Sequence, residues 1–171
     1  MHLSANRPYD GFVEITDGVW SGYNINATSG SRTASVAATN GPKEGRVVQC
    51  DPYDHDSLVS GGTGKVYGVP TTGQRGPLGV VYGPQTATAA GTQLRLAVGG
   101  WVKAIVKANA TKGVTLLAPD TAGELVAATP TSVAESLESV GATAACFAVA
   151  GETADTSSAA ALKWVYIRRG R

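Results

Sequence analysis

Beyond residue 40 the chain alternates apolar and polar side chains in short runs, each cut by Gly, Pro or Asp. The runs cover residues 46–50, 65–69, 78–82, 93–98, 101–107, 113–117, 123–127, 143–150 and 162–168. A period of two puts successive side chains on opposite faces of a strand, so each run predicts a β-strand. Turn residues recur about every ten positions, the spacing of a β-barrel or β-sandwich. The fold expected is mainly β: a small β-barrel or sandwich with an extended N-terminal arm and at most one short helix.

The strongest local signal is at residues 93–107, where Gly99 and Gly100 divide two alternating runs. Glycine reaches the positive φ that a two-residue hairpin turn demands, so the pair predicts a tight hairpin. In that hairpin Leu94, Leu96, Val98, Trp101, Lys103 and Ile105 share a face that reads as the core side. Gln93, Arg95, Ala97, Val102, Ala104 and Val106 form a mixed, small-residue face on the other side. Residues 1–40 read as an arm and linker and 41–171 as the barrel-like domain. Within the arm, Asp17 and Gly18 signal a turn between short strands, and residues 28–40 hold too little apolar bulk to pack. Only residues 129–141 suggest a helix, with Thr129 as cap, Pro130 at the first position and Val133, Leu137 and Val140 on one stripe.

Composition supports short strands and tight turns: there are 22 glycines and two phenylalanines in 171 residues. A net charge of +1 argues against a nucleic-acid coat, and no apolar stretch reaches the length of a membrane span. The first residues lack an apolar signal region, so the expected site of synthesis and assembly is a cytoplasm. Cys50 and Cys146 read as buried thiols there. Charge is segregated: residues 57–119 hold six basic and no acidic side chains, and residues 120–155 hold six acidic and no basic ones. Such segregation suits complementary faces that meet between copies or on a partner.

Candidate chemistry is sparse. Asp51, Asp54, His55 and Asp56 gather oxygens that suit a hard cation, but in none of the spacings of a calcium loop. The run Ser60-Gly-Gly-Thr-Gly-Lys65 lacks the first Gly and the final Ser or Thr of a phosphate loop. No nucleophile elbow is present, so the reading is a non-enzyme with no cofactor and no metal. Trp20, Trp101 and Trp164 are the available sugar platforms, which leaves a carbohydrate-binding β-module on a viral fibre or cell surface as the alternative.

From about residue 64 to 169 the order of motifs resembles phage capsid decoration (cement, head-stabilising) proteins. The matching stretches are Leu78-Gly-Val-Val81, Ala90-Gly-Thr-Gln-Leu-Arg-Leu96, Gly100-Trp-Val102, Lys112-Gly-Val114, Ala122-Gly-Glu-Leu125 and Val140-Gly-Ala142. The longer N-terminal region and the acidic segment near residues 129–139 depart from that pattern. The resemblance implies a β-tulip-like fold and a structural virion protein on the outer capsid surface, assembled in the host cytoplasm. It would be a homotrimer near local three-fold axes that clamps neighbouring major capsid subunits, with neither nucleic acid nor membrane as partner. Tyr9, Phe12 and Trp20 of the arm and Arg168, Arg169 and Arg171 of the tail are the expected partner contacts.

Overall fold

The computed structural model describes residues 12–26, 31–34, 41–50, 65–72, 78–120, 122–128 and 147–167. They form twelve strands and, among the described residues, no helix. In order these are β1 (Val13–Asn26), β2 (Ser31–Ala34), β3 (Val47–Cys50), β4 (Lys65–Thr72), β5 (Leu78–Val81) and β6 (Gln93–Val106). Then follow β7 (Asn109–Ala110), β8 (Leu116–Pro119), β9 (Leu125–Ala127), β10 (Ala148–Ala150), β11 (Ala154–Asp155) and β12 (Ala161–Ile167). The expected mainly β barrel is what forms; the expected helix over 129–141 lies outside the described residues.

The fold is built on β6, which runs unbroken through Gly99 and Gly100 for 14 residues. Its first half closes a five-stranded barrel, β6–β1–β4–β3–β5 and back to β6. Its second half belongs to another circuit, β6–β12–β10–β8–β9. That circuit returns to β6 through the parallel pair of Val106 with Leu125, tied by a 2.7 Å bond from the Lys107 amide to the Leu125 carbonyl. The expected hairpin is therefore wrong. Each half of the segment finds its neighbours far away in sequence, and the glycines mark the handover rather than a reversal.

A bulge accompanies the handover: Ile15 stands opposite Ala97, but Glu14 stands opposite Gly99. One extra residue in β6 reverses the parity of everything after it. Leu94 and Leu96 consequently face one core, with Trp20, Val48, Val81 and Ala87. Ala97, Val102, Ala104 and Val106 face a second core, with Val47, Val80, Leu117, Leu125, Val165 and Ile167 among others. Neighbouring pairs Val47/Val48 and Val80/Val81 divide the same way, as alternation requires. Arg95 and its register partner Asp17 are both exposed, which identifies the Leu94/Leu96 side as the interior of the first barrel. The face expected to be small and mixed thus supplies the larger core, and Trp101 and Lys103 lie on the outside.

The arm boundary at residue 40 also gives way. β1 is one long strand through Asp17 and Gly18, paired with β6 on one side and β4 on the other, and β2 pairs back onto its end. A turn at Asp17-Gly18 loses to pairing because Asp17 points outward opposite Arg95, where its carboxylate stays in water. Gly22, at φ +84°, marks a bulge in β1 where the register with β4 shifts, and a Cβ there would meet Ala90. Elsewhere the turn chemistry holds. Asp120 accepts bonds from the amides of Ala122 (2.8 Å) and Glu124 (2.9 Å) and so shapes the β8–β9 turn.

Candidate interaction surface

Alternation along β12 sends Val165 and Ile167 into the core and leaves Leu162, Trp164 and Tyr166 on the outer face. The register sets Tyr166 opposite Trp101, Trp164 opposite Lys103 and Leu162 opposite Ile105. The Trp101 and Tyr166 rings lie 5.2 Å apart at 57°, a tilted aromatic pair. The Lys103 ammonium sits 5.6 Å from the centre of the Trp164 ring, within cation–π range. Trp101 is seated against Gly151, where any side chain would collide with the indole and with the Trp164 carbonyl. Glu152 fixes the neighbouring strand by accepting from the Trp164 amide (3.2 Å) and pairing with Lys163 at 3.8 Å.

Tyr166 stands out of this face, 42% exposed, and Phe12, at the start of β1, is 77% exposed. The Phe12 backbone reaches the same place, since its carbonyl accepts a bond from the Trp101 amide at 3.2 Å. Leu162, 41% exposed, continues the apolar surface to a cleft of about 500 Å³ lined by Lys43, Glu44, Gln85, Ile105 and Glu124. Behind this cleft Arg46 is buried. Desolvation holds its pKa below the ordinary arginine value, and the charges of Glu124 and Asp120 oppose that shift. The Nε of Arg46 has no hydrogen-bond partner, and Glu124 and Asp120 are the opposite charges that act on this cation.

The expected contact residues are distributed differently. Phe12 is exposed, whereas Trp20 is 1% exposed and packs in the core of the first barrel, away from any surface. A large apolar ring at that position closes a five-stranded barrel whose other described core residues are mostly Val, Leu and Ala. Tyr9, Arg168, Arg169 and Arg171 lie outside the described residues, as do Asp51, Asp54, His55, Asp56 and the glycine-rich run that follows. Sequence reasoning missed Tyr166 and Lys103 as surface groups. The alternation at 162–167 is visible, but its one charge, Lys163, stands on the face whose Val165 and Ile167 turn inward, so the local pattern points the wrong way.

Among the described residues there is no group of three His, Cys, Asp or Glu side chains placed to hold a metal, and no helix long and apolar enough to cross a membrane. No protein-family model, curated protein or solved structure matches the chain.

Proposed function

We propose that this chain is a structural protein of a phage capsid surface, a decoration protein that binds the major capsid protein and braces neighbouring subunits as a trimer. The observation that carries the reading is the outward-facing pair of Trp101 and Tyr166 on a closed β body. The motif resemblance supplies the kind of partner. A body closed by strand pairing resists shear, and a small apolar patch repeated over a symmetric shell gains strength by multivalency. Tyr9 and the arginines at 168, 169 and 171 remain proposed contacts.

The test is co-sedimentation of the purified chain with capsids of the phage that encodes it, together with its mass in solution. Saturable binding, greater resistance of the shell to heat, and a mass of about three times 17.4 kDa are expected. Absence of binding to those capsids would reject the reading.

The gathering of Trp101, Trp164 and Tyr166 on one outer face favours a second reading, a carbohydrate-binding module. Trp20 no longer belongs to it. Glycan-array binding that disappears with Tyr166→Ser would select this alternative.

A further inference from the structure

The second circuit closes through its shortest seam. β12 stays paired with β6 from Ala161 to Ile167, and β9 with β8 from Leu125 to Ala127. Between β9 and β6 the register holds, among the described residues, only Leu125 with Val106. The backbone bonds that cross there run from the Lys107 amide to the Leu125 carbonyl (2.7 Å) and from the Val47 amide to the Gly123 carbonyl (2.8 Å).

Opposite charges face each other over this seam. On one side is Arg46, just before β3 and tied firmly to β5. The Gly45 amide donates to the Val81 carbonyl and the Val81 amide to the Arg46 carbonyl, both at 2.9 Å. On the other side are Asp120 and Glu124 of the β8–β9 turn, which Asp120 shapes through the Ala122 and Glu124 amides. Arg46 is 8% exposed, and these two carboxylates are the opposite charges that act on it. A buried cation that loses a compensating charge is costly, so a turn that carries its counter-charges is drawn onto it.

We propose that the β8–β9 hairpin is a gate in the wall of the second circuit, kept shut by Arg46 acting on Asp120 and Glu124. Opening parts Leu125 from Val106 and uncovers the core that holds Leu117, Val165 and Ile167. It does so beside the cleft that Glu124 already lines. Parts of a fold with few backbone bonds to their neighbours open locally, at less cost than global unfolding, and this seam is such a part.

Amide hydrogen exchange of the full chain, read residue by residue by NMR, tests the gate. The Lys107 and Val47 amides report the seam. The Ile105 amide, bonded to the Gly45 carbonyl at 2.8 Å, reports the body, and the Asp120 amide, bonded to the Glu124 carbonyl at 2.7 Å, reports the hairpin itself. In the parent, Lys107 and Val47 are expected to exchange before Ile105. Glu124→Gln keeps the side-chain shape and removes a charge. It is expected to speed Lys107 and Val47 roughly tenfold and to leave Ile105 and Asp120 unchanged. Arg46→Met removes the cation, so adding Glu124→Gln to it is expected to change nothing further. Equal acceleration of all four amides would be a general loss of stability and would overturn the gate. Unmoved Lys107 and Val47 amides would overturn it too, as would an acceleration by Glu124→Gln that persists alongside Arg46→Met. Where a variant does not fold, the parent alone decides: Lys107 and Val47 amides that exchange no faster than Ile105 in mild urea reject the proposal.

Discussion

Gly100 and Phe12 approach so closely that a Cβ on Gly100 would overlap the Phe12 carbonyl oxygen. Gly100 also sits at φ +86°, in the left-handed region that other residues enter at a cost. Gly100→Ala should therefore destabilise the protein twice over, by backbone strain and by prising β1 from β6. Gly83 offers the control, since its φ is +80° but nothing lies within 4 Å of its Cβ position. Gly83→Ala should cost about 1 kcal/mol from strain alone, and Gly100→Ala on the order of 2 kcal/mol more. Urea unfolding measures both. Equal losses would mean that Gly100 is an open turn, as the local sequence suggests, and not a crossing point.

That contrast shows what could be read from the residues and what could not. The strands at 46–50, 65–69, 78–82 and 162–168 were visible because alternation is local and survives any topology. The reversal at Gly99-Gly100 was not decidable, because a hairpin turn and a bulge where another backbone presses in both call for glycine. Which meaning holds depends on Phe12 and Ile167, from opposite ends of the chain, arriving at the same place. The parity switch hid the surface for the same reason. With Leu94/Leu96 and Val102/Ala104/Val106 all even-numbered, a straight strand puts them on one face; the bulge sends them into two cores.

Trp20 is expected to behave as the plug of the first barrel. Trp20→Ala should cost about 3–5 kcal/mol, the range for emptying a large aromatic site. Its Nε1–H is buried without a partner, so Trp20→Phe removes an unsatisfied donor along with ring volume and should cost clearly less. Chemical denaturation of the two variants checks the order. Alanine and phenylalanine variants of equal stability would show that the indole is not packed as described.

Asp155 allows a test of local electrostatics that leaves the fold alone. Its carboxyl is exposed, and bonds from the Ser157 hydroxyl (2.6 Å) and amide (3.1 Å) lower its pKa from the ordinary 3.8. Hydrogen bonds to the ionised form favour it, which gives the downward direction. The stabilisation is thus present above about pH 3.8 and fades as pH falls through the lower folded value. Ser157→Ala should move the carboxyl titration, followed by NMR, upward toward 3.8. An unmoved titration would show that the hydroxyl bond does not form in solution.

Truncation separates an arm from a barrel stave. A chain starting at residue 31 would be harmless if residues 1–40 were an appendage, but it lacks β1, which pairs with β6 over Val13 to Val19 and with β4 beyond. Loss of β1 opens the first barrel, strips Trp20 from its core and exposes a long edge of β6 to pairing with other chains. This truncation should yield aggregated or unfolded protein. A chain beginning at Phe12 keeps every described pairing, including the bond from the Trp101 amide to the Phe12 carbonyl. It should retain a cooperative thermal transition and a β-type circular dichroism spectrum. A folded, monodisperse product from the longer deletion would show that β6 is stable without its first neighbour, and the closed barrel would not be the unit that holds this protein together.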